Sequence, residues 1–280
     1  MDLRSLLVNA RPESFRAIKL ALTVALGIGS GSFCFRAIAD IFDGFDAGND
    51  NAWTRYEPLA PFGAPATYSF PNGGYRVQAS ASPDPAALGP GRAGSLRLDL
   101  NIAGNFLDTI DILSWDNSQS QSFGLLGRIS NPGLGTTTGY AFTYSTAGLL
   151  TISLVNKDSL IVLKSRPIVL DPTLGYHLTF SGTGSALFGQ LFELIPGGGY
   201  QGITGFGVID STYDRGVTGL EVFSNAGSGA ADATFDNYIA FSFIPEPSTW
   251  SLMALGLGTF FLVAFRHHKA RRPSGRIHNL

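Results

Sequence analysis

Apolar and polar residues alternate with a period of two through most of residues 40–244. In "YHLTFSG" Tyr176, Leu178 and Phe180 fall on one face, with His177, Thr179 and Ser181 on the other. In "TFDNYIAFSF", Thr234–Phe243, the same period places Phe235, Ile239, Phe241 and Phe243 together. "SLRLDL" predicts Leu96, Leu98 and Leu100 inward and Arg97 and Asp99 outward. "LLTISLVNKDSLIVLK" predicts a hairpin, with strands over 149–155 and 160–164 and a turn at Asn156-Lys157-Asp158. Further strands are predicted over 75–79, 123–129, 140–144, 187–194, 206–209 and 219–223, separated by turn clusters such as "NPGLGTT", "PGGGY" and "NAGSGAAD". No helical period of useful length runs through this part. Many short strands with frequent turns predict a single all-β domain, a sandwich of two sheets. The stretch "SPDPAALGPGRAG" reads as a mobile loop within it.

The two ends follow a different pattern. Arg4, Arg11, Arg16 and Lys19 precede the apolar run "LALTVALGIGSGSF", and "AIA" has small residues at Ala37 and Ala39. That order predicts a secretory signal peptide over 1–39, cleaved after Ala39; an uncleaved anchor is the competing reading. Phe33 is too bulky for a lipobox before Cys34. Near the other end, residues 250–265 carry no charge. As a helix rising ~1.5 Å per residue they span about 24 Å, short of a hydrocarbon core of about 30 Å. Trp250 sits where an interfacial aromatic belongs, and Arg266, Lys269, Arg271 and Arg272 follow. A transmembrane helix with a cytoplasmic tail over 273–280 is predicted; a buried core helix competes with it.

Charge supports this topology. Residues 40–244 hold 18 acidic against 9 basic side chains, whereas 5 basic face 2 acidic before residue 40 and 5 face 1 after residue 244. Basic ends retained in the cytoplasm place the acidic middle outside. Positive charge on the ends rather than on the folded part speaks against nucleic-acid binding. The single cysteine excludes a disulfide within the chain.

Chemistry in the middle is sparse. His177 is its one histidine, and no G-x-S-x-G accompanies it; a surface or half-buried strand histidine is expected. Glycoside hydrolysis needs two nearby carboxyls, and the pairs available are Asp108 with Asp111 and Asp210 with Asp214. If the first and last strands pair, Asp43 or Asp46 can approach Asp236. Such oxygen ligands suit Ca²⁺, although solvated turn aspartates would look the same and the spacing is not that of an EF-hand. Otherwise no cofactor is expected. Trp115, with Asp116 and Asn117 beside it, is a candidate glycan patch; core packing of so large a ring is the competing reading.

"PEPS" at Pro245, Glu246, Pro247 and Ser248, an apolar helix and an Arg-rich end, in that order, resemble the PEP-CTERM sorting signal over 245–272. The two prolines hold the handle extended beside the membrane. The resemblance implies exosortase as a partner, processing near Pro-Glu-Pro, delivery to the cell surface or beyond, and a link with exopolysaccharide or biofilm. "FDGFDAGNDNAWTRY", "FPNGGYRVQA", "FGLLGRI", "GYAFTYS", "YHLTFSGTGSALFGQLFEL" and "ATFDNYIAF" together resemble laminin-G/concanavalin A-like jelly rolls. That second resemblance implies a jelly-roll ectodomain over 40–244 with adjacent first and last strands. Such domains often bind glycans, and some are glycosidases; the E-x-D-x-x-E spacing of jelly-roll glucanases is absent. Three functions are expected to compete: a non-enzymatic structural, adhesive or glycan-binding surface protein, a secreted carbohydrate-active hydrolase, and a permanently tail-anchored surface protein.

Overall fold

The computed structural model describes residues 38–103, 105–227 and 229–243. The Pro-Glu-Pro segment, the apolar span 250–265, the tail and all but the last two residues of the expected signal peptide lie outside the described residues. Among the described residues no helix is long and apolar enough to cross a membrane.

The strands in chain order are β1 (Ile38–Asp43), β2 (Thr54–Tyr56), β3 (Thr67–Ser69) and β4 (Tyr75–Ala79), then a four-residue helix α1 (Pro85–Leu88). They continue with β5 (Arg92–Ala103), β6 (Asn105–Trp115), β7 (Gln121–Ser130), β8 (Thr138–Ser145), β9 (Leu149–Asn156) and β10 (Ser159–Pro167). The last five are β11 (Tyr176–Thr183), β12 (Ala186–Leu194), β13 (Tyr200–Ile209), β14 (Arg215–Ser224) and β15 (Ala231–Phe243). One sheet runs β13-β12-β11-β6-β15-β4-β3 with β1 also on β15, and the other runs β10-β9-β8-β7-β14-β5-β2. Every pairing is antiparallel. The two-sheet sandwich is as expected, and so is the pairing of first and last strands, with Phe42 opposite Ile239.

The core lies between the sheets. Tyr75 and Val77, Phe106 and Ile110, Leu178 and Phe180, and Phe235 supply it from the first sheet; Phe123, Leu125, Phe142, Ile152, Leu220 and Val222 answer from the second. The face predicted for Tyr176, Leu178 and Phe180 is the buried one. Glycines make room for the rings: a Cβ at Gly189 would stand 2.3 Å from the Phe142 ring.

Bulges change the side-chain parity in two places. In β15 the register shifts between Asp236 and Ile239, and Asn237 has φ 50°. One residue inserted into a strand transfers the following side chains to the other face. Tyr238 and Ala240 therefore enter the core, while Ile239 and Phe241, expected there with Phe235, face outward and are half-buried. In β5 the partners of β14 step from Ile102–Gly216 to Arg97–Thr218, so three residues bulge out. The expected alternation is reversed. Arg97 turns inward, 5.4 Å from the Trp53 ring and bonded to Asp99, Leu98 is exposed, and Leu96 lies on the outer face of its sheet.

Strand β6, at the centre of the first sheet, was not among the expected strands. Its inward row is Phe106, Asp108, Ile110 and Ile112, and the carboxyl breaks the apolar pattern. Asp108 is fully buried and bonded to the Thr218 hydroxyl, which also bonds Leu126 O and receives Tyr238 OH. Burial raises its pKa far above the carboxylate range. A protonated Asp108 can donate to Thr218 while Thr218 donates to Leu126, which avoids a buried charge although Asp108 Oδ1 has no partner.

Candidate functional site

A second apolar cluster lies on the outer face of the seven-stranded sheet: Tyr56, Leu96, Leu126, Ile129, Ala141 and Val155. The row is buried, because the segment around α1 and the loop before β8 fold over this side of the sheet. Here it floors a groove of about 620 Å³. One wall is the segment from Pro85 to Pro90, carrying α1, and the other is formed by Leu134, Gly135, Thr137 and the β9–β10 turn. The stretch that reads as a mobile loop is thus a built wall. Asp84 caps α1 by accepting from Ala87 N at 3.1 Å, and Arg92 Nη1 holds its far end through Leu88 O and Pro90 O.

The β9–β10 turn consists of Lys157 and Asp158 with φ of 51° and 64°. This is the primed geometry of two-residue hairpins, which normally employs Asn-Gly. Aspartate tolerates the left-handed region better than most residues because its side chain can bond locally. In this turn the side chain does more than that. Asp158 Oδ1 accepts from Tyr56 OH at 2.9 Å, and Oδ2 accepts from Arg92 Nη2 at 2.9 Å and Gly135 N at 2.5 Å. Tyr56 OH also bonds Thr137 Oγ1 at 2.7 Å. One carboxylate thereby ties together β2, β5, the loop after β7 and the β9–β10 hairpin.

Glu221 stands on β14 beside this network. It lines the groove, is 8 % exposed, and its Oε1 has no hydrogen-bond partner. Burial pushes its carboxyl up to about 8; the Arg92 charge opposes the shift and the Asp158 charge adds to it. Arg92 Nε is a second buried atom without a partner. A saturated ion pair next to an orphaned acid and an orphaned N–H, above an apolar floor, suits a ligand with both apolar and hydroxyl-bearing faces.

None of these groove residues stands out in the sequence. The residues that did stand out are placed elsewhere. Trp115 belongs to the core between the sheets, where Phe123, Tyr144 and Tyr176 pack around its ring and leave no face for a sugar. Its Nε1 donates to Asn117, and Asp116 is engaged by the Ser118 amide and hydroxyl. Trp53 is likewise in the core. Asp108 and Asp111 point to opposite faces of β6 and cannot act as a pair. Asp210 accepts from Tyr140 OH at 2.6 Å and Thr212 N at 2.9 Å, while Asp214 pairs with Arg215 on the surface. This second pair organises the β13–β14 turn.

On the outer face of the eight-stranded sheet, His177 Nδ1 lies 2.6 Å from Asp111 Oδ1, and Asn237 donates to Asp111 Oδ2 at 2.9 Å. The Tyr200 ring covers the imidazole at 4.3 Å, leaving His177 only 8 % exposed, more deeply covered than expected. Burial, with the charges of Asp111, Asp46 and Asp43, raises Asp236 to about 6. Asp43 is already occupied by the Phe45 amide and Trp53 Nε1. Among the described residues no group of three His, Cys, Asp or Glu is placed to hold a metal ion.

Comparison with solved structures finds the sandwich repeatedly. The carbohydrate recognition domain of Emp47p superposes with a TM-score of 0.50 at 10 % identity, covering 74 % of this chain and 97 % of that one. The carbohydrate-binding module CBM66 from Bacillus subtilis gives 0.49 at 16 % identity, covering 69 % and 98 %. At such identities the likeness is one of fold. No curated protein sequence matches this chain. The family model of the PEP-CTERM protein-sorting motif matches residues 243–272, beginning on the last residue of β15. The chain therefore carries a PEP-CTERM protein-sorting motif, the mark of exosortase processing, joined directly to an all-β sandwich of the lectin-like, concanavalin A-like kind.

Proposed function

We propose that this chain is an exported surface or matrix protein whose sandwich binds a glycan in the groove over Leu96, Leu126 and Val155, after delivery through its C-terminal motif. The observation that carries this reading is the orphaned carboxyl of Glu221 beside the Arg92–Asp158 pair on an apolar floor. Sugars present C–H patches and hydroxyls to such a surface. The shared fold with a carbohydrate recognition domain accords with it. Binding is favoured over hydrolysis because Asp158, the second carboxylate of the groove, has both oxygens committed to Tyr56, Arg92 and Gly135, whereas glycosidases need two available carboxyls. Pro245, Glu246, Pro247 and Ser248, with Arg266, Lys269, Arg271 and Arg272, form the address read by exosortase, and the apolar span 250–265 holds the chain at the membrane until then.

Ala87 is exposed on the rim of the groove. On a glycan array the full-length chain is expected to give discrete signals that Ala87→Trp removes while melting at the same temperature. Absence of any signal, or equal signals from the variant, overturns the groove reading. The sorting half is read independently. In a host with exosortase, the mass of the exported protein is expected to end near Pro-Glu-Pro, and a mass that retains the Arg-rich end shows permanent anchoring instead.

A further inference from the structure

The charges lining the groove do not balance locally. They are Arg92, Lys157, Asp158 and Glu221, with the Tyr56 phenol as a further titratable group. Arg92 and Asp158 neutralise each other at 2.9 Å, both nearly buried. Lys157 lies on the exposed hairpin turn at the rim. Glu221 is left on the floor without a hydrogen bond to Oε1, and the cation near it, Arg92, is already paired with Asp158.

A buried carboxyl in that position is stable empty only as the neutral acid, and becomes a carboxylate when a cation is brought to it. A sugar hydroxyl would supply one hydrogen bond. The ammonium of an amino sugar supplies up to three donors and the missing charge, and a charge-assisted bond of that kind is roughly twice as strong as a neutral one. The wider field has the same sign: residues 40–244 hold 18 acidic and 9 basic side chains, which concentrates a polycationic chain near the surface. Arg92 does not repel the ammonium strongly, because Asp158 already compensates it at 2.9 Å.

We infer that the groove selects a glycan carrying free, protonated amino groups, with Glu221 as the counter-ion of one of them; the inference rests on the glycan-binding reading above. An N-acetylated amine lacks the charge and adds bulk over the carboxyl, so acetylation is the feature by which the site discriminates.

Calorimetry of the full-length chain at pH 6.5 with three tetrasaccharides tests this: a glucosamine, an N-acetylglucosamine and a glucose oligomer. The glucosamine oligomer is expected to bind about tenfold tighter or more than the other two. Glu221→Gln is expected to equalise the three without lowering the melting temperature. Equal affinities in the wild type, or preference for the acetylated or neutral oligomer, overturn the amine inference and leave glycan binding standing. A glucosamine preference that survives in Glu221→Gln also overturns it, since the cation is then held elsewhere on the acidic surface. Binding of none of the three overturns it as well, and the array, with its wider range of sugars, decides separately whether the groove binds a glycan.

Discussion

Asp158→Ala is expected to lower the unfolding free energy by about 3–5 kcal/mol, the usual consequence of removing one partner from a buried ion pair. Arg92 would remain nearly buried without its ion-pair partner, and the Tyr56 hydroxyl and Gly135 amide would lose their acceptor. At about 2–4 °C per kcal/mol for a domain of this size, the melting temperature should fall by roughly 10 °C. Asp158→Asn separates charge from geometry. Asparagine also accepts the left-handed φ of 64° and keeps an acceptor for Tyr56, so it should lose less. Chemical denaturation of the three proteins at pH 7 measures both differences. A loss below 1 kcal/mol for Asp158→Ala would mean that the carboxylate does not join the two walls of the groove in solution.

Glu221→Gln is expected to act in the opposite direction, stabilising the fold at neutral pH. The Glu221 carboxyl moves from its ordinary 4.5 to about 8 on folding. The folded state therefore holds the proton more tightly than the unfolded chain. Between those two values the unfolded chain has already lost the proton, so wild-type stability falls as pH rises and levels off above about 8. At pH 7 the deficit is about 3 kcal/mol, taking about 1.4 kcal/mol for each unit. Glutamine does not titrate, so the variant gains that amount at pH 7, more at pH 8 and almost nothing below pH 4.5. Unfolding midpoints measured from pH 4 to pH 9 should show the two curves converging at the acidic end. Parallel curves would show that Glu221 is solvated or paired in solution. Stabilisation together with loss of ligand selectivity is the expected signature of a residue retained for binding.

The strand pattern was largely visible in the amino-acid order because a period of two is a local property. The hairpin around Lys157 and Asp158 and the buried row Tyr176, Leu178 and Phe180 appear where the alternation put them. The exceptions share one cause. Strand β6 was hidden because Asp108 occupies a core position, and a carboxyl is acceptable there only because Thr218, 110 residues away, bonds it. Alternation places Ile239 and Phe241 with Phe235, but a single residue with positive φ, Asn237, reverses the parity beyond it. Alternation also marks Leu96 as apolar-facing without saying on which side of its sheet that face lies, and it lies on the outer one.

The candidate site was less legible. Of the two readings of Trp115, core packing is the one that holds: the ring is wedged among Phe123, Tyr144 and Tyr176. The groove is assembled from Tyr56, Arg92, Asp158 and Glu221. These are single residues on four different strands or turns, each of which reads as an ordinary strand or turn residue in isolation. One signal was available: a hairpin turn built from Lys-Asp rather than Asn-Gly places two non-glycine residues at positive φ, and such strain tends to mark a site under other constraints.

The amino-acid order by itself determined the class of fold, the strand-and-turn rhythm and the sorting motif, which the family match at 243–272 bears out. Those properties are written in neighbouring residues, through side-chain alternation, turn chemistry and a contiguous address. Only the tertiary structure decided where bulges reverse the buried face, which acids are neutral, and that Tyr56 and Arg92 meet Asp158 across 102 and 66 residues of chain. Burial and pairing depend on what the folded chain brings alongside, and strand order across a sandwich is not encoded in any local stretch.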